Sequence, residues 1–452
     1  MNVTHMHPKN IAVIGSGISG LSCAWLLSSK HNVTLFEKDD RLGGHANTVA
    51  IEVNAEKVDV DTGFIVYNPL NYPNFVALLD YLNVATEQTV MSFAVSVNQG
   101  EVEYSGSGLK GLFAQKRNMF KPSFWLMLKD VKRFYKQAPL LEKDPATANL
   151  TLGQLLSQQG YSKVFIDNHL VPMAAAIWSA PAAEMLSYPA LNFLRFCRNH
   201  GLLQLADRPQ WRTVVGGSKN YVDKISAAIT DINLNYKIHK VKRANNKVYL
   251  YGLHGNCNVF DDVVFACHSD QALALLDEPT EQEQSVLSSF PYQRNKAYLH
   301  TDTALMPKKT QAWSSWNYLL DKKKTASHLT LSYWMNELQP LATDVPLFVT
   351  LNPAKPPASQ KIHRTFFYDH PLFNQASIEA QQELWKLQGQ NNSWFCGAYF
   401  GYGFHEDGLQ AGLAVAEQLG LCSRPWAVDS SQSRIFSKVK KTEQKRDAND
   451  EG

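Results

Sequence analysis

The first apolar block of the chain, NIAVI at Asn10 to Ile14, is short, β-branched and unbroken by polar residues. That is the pattern of a strand buried on both faces of a parallel sheet. A helical pattern follows from Ile18 to about Ser29, then a second strand pattern from Val33 to Phe36. Farther on, Tyr72 to about Leu82 reads as a helix and FAVSV with EVEYS as a hairpin. Asn168 to Trp178 is apolar but too short to span a bilayer, a buried helix or a pocket wall. Strand patterns recur at Asn235 to Val241, Lys247 to Leu253 and Val263 to Cys267. Trp313, Trp316, Tyr318, Tyr333 and Trp334 then predict an aromatic sheet that would make core or floor an apolar pocket. The last strand pattern, WFCGAYF, leads to a helix opening near Asp407 or Gly408.

One stretch combines both kinds of surface. Between Lys110 and Lys136 stand eight basic residues (Lys110, Lys116, Arg117, Lys121, Lys129, Lys132, Arg133, Lys136) against one acid, Asp130. From Phe124 onward its apolar positions fall near i, i+3, i+4 and i+7, an amphipathic helix with a basic face. Two readings stay open: contact with an anionic membrane surface through 110–136, or a helix packed on its own domain with a solvated face. No nucleic-acid module accompanies the charge, so no nucleic-acid partner is expected.

Composition narrows the class without changing the order of elements. The chain has 452 residues, 44% hydrophobic and 19% charged, with a net charge of +3, which suits a large enzyme. Its start, MNVTHMHPKN, has no apolar signal region, and no run of about eighteen uncharged apolar residues occurs. A cytoplasmic location, peripheral at most to the inner membrane surface, is the expectation. The six cysteines are scattered without C-x-x-C pairing, so buried thiols are expected and no metal site or disulfide framework.

Chemistry enters between the first strand and helix, where the sequence reads GSGISG from Gly15 to Gly20. Gly15 permits the turn, Gly17 lets backbone approach a pyrophosphate, and Gly20 lets the helix pack on the strand. Ile18 and Ser19 open the helix, whose free N–H groups favour an anion. The second strand ends at Glu37, 22 residues after Gly15, where a ribose hydroxyl would be bound. A second copy of the pattern, at Gly106, Gly108 and Gly111, follows a hairpin and lacks the strand–helix–strand–acid context, so it reads as a glycine-rich turn.

After Glu37 comes KDDRLGGHANT, with Lys38, Arg41, the pair Gly43 and Gly44, and His45. An acid followed by RLGG resembles the flavin amine oxidase, protoporphyrinogen oxidase and carotenoid desaturase superfamily, in which this loop lies along the flavin pyrophosphate. Arginine usually follows the glycine pair there, whereas this chain has His45. VDVDTGFIVYN resembles the next segment, placing Asp61, Thr62 and Gly63 beside the cofactor. The later elements NHGLL, RPQW and GGS resemble a bacterial branch described only as NAD/FAD-binding oxidoreductases, with Gly216 and Gly217 as a turn back into the flavin domain. By the same resemblance Val241 sets its backbone against the adenine. Lys296 falls where a lysine near flavin N5 is common, and reads otherwise as a surface lysine. The stretch SWFCGAYFGYGFHEDG resembles the end of the flavin domain, where a helix N-terminus faces the ring. Gly397, Phe404, His405, Asp407 and Gly408 would belong to it, Asp407 as a helix cap and His405 at the flavin edge or bonded to backbone.

The resemblance implies an α/β fold, with a Rossmann-type FAD-binding domain in three pieces (8–70, 207–285 and 392–427). A mixed α+β substrate domain (71–206 and 286–391) is inserted, in the amine-oxidase or glutathione-reductase-like manner, and 428–452 would form a disordered tail. FAD is the implied cofactor, and two-electron oxidation of a C–H bond the implied chemistry, with Lys296 and His405 as catalytic candidates. The branch also resembles the flavin-binding region of plant cyclopropane fatty acid synthases and the bacterial desaturases of furan fatty acid synthesis. Oxidation or desaturation of a fatty-acyl chain, or of another lipid or apolar small molecule, is therefore the leading expectation. The alternatives are an amine oxidase and a non-catalytic flavin-binding partner of a lipid-modifying enzyme.

Overall fold

In the computed structural model, which describes residues 7–178, 182–199, 201–203, 209–253, 255–321 and 329–436, the apolar run at the N-terminus becomes the middle of a sheet. β1 (Asn10–Ile14) buries all but its first residue. α1 (Ile18–Leu27) leads to β2 (Asn32–Phe36), parallel to β1 with Phe36 opposite Ile14. The antiparallel pair β3 (Thr48–Val53) and β4 (Glu56–Asp61), then α2 (Pro73–Tyr81), carry the chain away. A hairpin of β5 (Phe93–Val97) and β6 (Val102–Ser105) follows. The second glycine pattern closes that hairpin and opens only the five-residue α3 (Gly108–Leu112), ahead of α4 (Pro122–Leu141).

The chain then returns through α5 (Lys219–Ser226) to β7 (Asp231–Asn233), beside β2. A meander, β8 (Ile238–Ala244), β9 (Lys247–Gly252) and β10 (Cys257–Phe260), sets Phe260 edge-on to Phe36, and β11 (Asp262–Phe265) flanks β1. A second departure supplies β12 (Tyr292–His300), β13 (Trp316–Leu320), β14 (Leu329–Trp334), β15 (Phe348–Leu351) and β16 (Ile362–Pro371). β17 (Ser393–Phe395) completes the parallel sheet and α6 (His405–Gly420) follows. The parallel sheet runs β7-β2-β1-β11-β17; the second runs β16-β12-β15-β14-β13-β5-β6, with only β5 and β13 parallel. This is the α/β class read from the sequence.

α6 lies across α1 at glycine distance: a Cβ at Gly412 would sit 2.2 Å from Ser19 O. One apolar cluster joins the two sheets and the helices, from Ile11 and Leu35 through Phe134 and Phe193 to Phe395 and Leu413. α4 contributes Phe124, Met127, Phe134, Ala138 and Leu141 to the interior, the spacing that its sequence pattern requires.

Two expectations need correction. Residues 428–436, read as tail from their polar composition, are anchored at one point: Ile435 is buried and Arg434 pairs with buried Asp407, while 429–433 and Phe436 stay exposed. Of the six cysteines, four are buried, Cys267 is half-buried and Cys257 is exposed. His200 of NHGLL, Arg208 of RPQW, the 206/207 boundary and residues 437–452 lie outside the described residues. No helix among the described residues is long and apolar enough to cross a membrane.

Candidate functional site

The turn from β1 into α1 is built from glycines that answer to different neighbours. Gly15 has φ +103, and a Cβ there would lie 2.9 Å from Ala266 O; one at Gly20 would overlap Gly15 O at 1.9 Å. Gly17 caps α1, yet a Cβ on it would meet no heavy atom within 4 Å. The space it leaves lies before the unpaired N–H groups of the helix, where the positive dipole end holds an anion. Glu37 is drawn into the same turn: its Oε2 accepts the Ser16 N–H at 2.9 Å and Ser16 Oγ–H at 2.5 Å, and its Oε1 accepts the Asp39 N–H at 3.0 Å. Ser16 is missing from the residues expected; the serine inside the glycine pattern was the available signal.

The Gly43–Gly44 loop closes over this turn. Both glycines have positive φ, Gly43 N–H donates to Ser16 O at 3.0 Å, and a Cβ at Gly44 would stand 3.1 Å from Gly17 Cα. The Arg41 guanidinium ties the loop by donating to Gly44 O at 2.9 Å. His45 follows, 5.1 Å from the Tyr368 ring and 5.3 Å from His370, with its Nε2 buried and unpartnered. Burial, and then neighbouring His370, hold its pKa well below the usual histidine range.

A cavity of about 840 Å³ runs from this turn to the second sheet. Gly15, Gly17, Ile18, Ser19, Glu37, Lys38, Arg41, Gly43, Gly44, His45, Gly63, Gly397, Phe404 and His405 line it. Gly63 is forced, since a Cβ there would lie 2.2 Å from His45 O. At the N-terminus of α6, His405 stacks on Phe64 at 3.8 Å, meets Phe75 edge-on and bonds Tyr221 Oη through Nε2 at 2.9 Å. Burial lowers its pKa to about 3, so it stands neutral.

Other expected residues stand behind the wall. Asp61 is buried and bonded to Thr48 Oγ1 (2.6 Å), Ser218 N (2.9 Å) and Oγ (2.7 Å), and Gln339 Nε2 (2.9 Å). It pins the Gly216–Gly217 turn, whose φ values are both positive, and has no face on the cavity. Thr62 Oγ1 holds Tyr368 Oη at 2.7 Å and so fixes a wall residue. Val241 is buried, with its carbonyl accepting the Asp277 N–H; the residues of this stretch that line the cavity are Lys237 and Ile238, four and three positions earlier. Gly20 and Gly408 serve packing, a Cβ at Gly408 meeting Ser19 Oγ at 2.8 Å. Asp407 is the third residue of α6, and its carboxylate reaches back to accept the Phe404 N–H at 2.8 Å.

Lys296, expected as a catalytic candidate, does not stand in the cavity wall. Strand alternation buries Asn295 and Ala297 and leaves Lys296 exposed, its ammonium 5.0 Å from the Tyr298 ring centre and outside the cavity lining. Residues that the sequence reading passed over take its place in the wall: Tyr368 and His370 from β16, His268 and Tyr292 stacked at 4.3 Å. The FFYDH cluster ending β16 carried that signal.

A parallel sheet with a glycine turn and acid at one helix N-terminus, and a second helix N-terminus across the cavity, defines a dinucleotide-dependent oxidoreductase. The sequence matches the model of the flavin-containing amine oxidoreductase family over residues 18–353, and the chain belongs to that family. "Probable polyamine oxidase 4" of Arabidopsis thaliana is 25% identical over 268 residues, 56% of this chain and 49% of that protein. The match thus spans about half of that relative's length. Two solved structures share the fold at 14% identity. Cyclohexylamine oxidase from Brevibacterium oxydans aligns with a TM-score of 0.64 over 91% of this chain and 99% of its own. The CLA-producing fatty acid isomerase from P. acnes aligns with 0.61 over 92% and 99%.

The family's cofactor is FAD, and the residues fit it. The open cradle at Gly17 faces the space that a dinucleotide would fill, and His45 lines the same space. Gly15 to Ser19 would hold the pyrophosphate, Glu37 a ribose hydroxyl, and the N-terminus of α6 the electron-rich edge of the ring.

Proposed function

We propose that this FAD-dependent oxidoreductase oxidises or desaturates an apolar chain of the fatty-acyl type. One observation carries the reading. The acids among the described cavity-lining residues are Glu37, Asp39 and Asp369, and they accompany the glycine turns and the histidines. The remainder of the wall, including Met91, Phe93, Met173, Ile177, Leu202, Trp211 and Trp316, offers a cationic amine no carboxylate. A protonated polyamine desolvated there would be costly, whereas a hydrocarbon chain loses only water contact.

When bound, FAD supplies the two-electron acceptor. The chain's own part is to seat the substrate against that acceptor and to exclude water, with Phe404 and the Phe64–His405 stack as the inner wall. Neutral His405 places no positive charge there, so the α6 dipole alone meets developing negative charge.

Anaerobic addition of a dispersed long-chain fatty acid or phospholipid should bleach the visible flavin absorbance of the purified protein. Putrescine or spermidine should leave it unchanged. Bleaching by the amine instead would establish the amine-oxidase alternative, and bleaching by neither would favour a non-catalytic partner role.

A further inference from the structure

We propose that the exposed face of α3, the 116–120 turn and α4 docks on an anionic lipid bilayer. Its apolar side chains are turned outward: Phe120 is 83% and Leu109 75% exposed, and Met119, Trp125 and Leu126 are exposed beside them. Trp125 Nε1 donates to Met119 O at 2.8 Å, which joins α4 to the turn and satisfies the indole N–H internally. The ring can therefore enter an apolar phase without leaving a donor unpaired.

Within 110–136 the exposed charge is basic. On α4, Trp125, Lys129, Lys132 and Lys136 follow one another at i, i+4, i+7 and i+11, a single stripe, and all are exposed. Lys110 and Lys116 extend it, and none of these lysines makes an ion pair among the described residues. The acid of the stretch, Asp130, is withdrawn: it is 5% exposed, pairs with Arg133 at 3.1 Å and accepts the Ser162 N–H. Arg133 is spent on that contact and on the Tyr161 ring at 4.0 Å, while Arg117 and Lys121 reach the carbonyls of Gly100 and Glu101. Outward aromatics rimmed by unpaired lysines match the interfacial region and the negative potential of an anionic leaflet.

The face also stands next to the cavity. Tyr135, on the flank of α4 between the lysine stripe and the buried face, and Gly106, just ahead of α3, are both cavity-lining residues. α4 thus carries both exposed lysines of the docking surface and a residue of the cavity wall, the arrangement needed if the chain oxidised is drawn from the bilayer. That last clause rests on the acyl reading of the cavity; the docking itself does not.

The test is co-sedimentation of the resting holoprotein with vesicles of phosphatidylcholine alone or mixed with phosphatidylglycerol. The wild type should sediment with the anionic vesicles only, and high salt should release it. Lys129→Glu with Lys132→Glu should weaken binding by at least about tenfold, and so should Phe120→Ser with Trp125→Ser. Lys57→Glu, in the β3–β4 hairpin, should leave it unchanged. Flavin absorbance and melting temperature report that each variant is folded. No sedimentation, equal sedimentation with neutral vesicles, or binding indifferent to the paired substitutions each overturns the proposal. Because no turnover is involved, docking stands or falls separately from the substrate that bleaches the flavin.

Discussion

Gly17 and Gly20 lie three residues apart in one turn, and a methyl group added to each would meet different things. At Gly20 it would meet the Gly15 carbonyl at 1.9 Å, so Gly20→Ala must move backbone and should cost about 1–3 kcal/mol of stability. At Gly17 the backbone (φ −63, ψ 174) suits alanine and the methyl has free space, so the apoprotein should melt unchanged or gain up to about 1 kcal/mol. The same methyl would occupy the phosphate cradle, and FAD titrated into the apoprotein should bind at least about tenfold more weakly. Equal FAD affinity for Gly17→Ala and wild type would show that the cradle is not where the cofactor lies. Residues at this scale were legible where one short pattern fixed position, as in Gly15 to Gly20 and Glu37, which meet at one turn. They were not where a register had to be guessed. Val241 lies three residues past Ile238 in β8, and Lys296 points outward because the pleat, which the resemblance could not orient, decides its face.

At the scale of elements, the N-terminus of α6 is held by two buried carboxylates. Glu406 accepts the Asn74 and Phe75 N–H groups at 3.0 and 2.9 Å and so docks the start of α2. Asp407 pairs with Arg434, whose guanidinium also donates to Asn71 O and lies 5.7 Å from the Tyr72 ring centre. The segment after α6 therefore straps the helix whose first turn lines the cavity. Arg434→Met should leave Asp407 buried without its cation and cost about 3 kcal/mol in urea unfolding. Adding Asp407→Asn should recover part of that loss, and the single variant should release flavin faster. If Arg434→Met unfolds and holds flavin like the wild type, the strap has no such role. Composition alone could not reveal it: residues 428–436 read as polar tail, because their partners lie 22 and more positions back in the chain. By contrast β1, the β5–β6 hairpin and α4 were readable, since their own periodicity decides their form.

Over the whole molecule, both sheets deliver histidines to one seam. His45 and His268 follow strands of the parallel sheet, His370 comes from β16 of the second sheet, and His405 opens α6; all four line the cavity. Burial lowers each pKa, that of His370 to about 4 and that of His405 to about 3. The unfolded chain takes up a proton at each below about pH 6.5, while the folded protein does not, so their stability contribution is complete above that pH and is lost as pH falls toward the folded value. At pH 5 the loss for His405 is about 2 kcal/mol. Buried Asp61, Glu406 and Asp407, whose pKa values burial raises, act in the opposite sense, since they bind protons earlier in the folded state than in the unfolded one. The wild-type profile is the sum of both groups, and a single variant isolates one contribution. His405→Gln removes the titrating group, so its urea-unfolding stability should change between pH 7 and pH 5 by about 2 kcal/mol less in the destabilising direction than the wild type's. Parallel profiles would mean that His405 is ionised in the folded protein, and with it that the α6 end of the cavity carries a cation rather than a dipole alone.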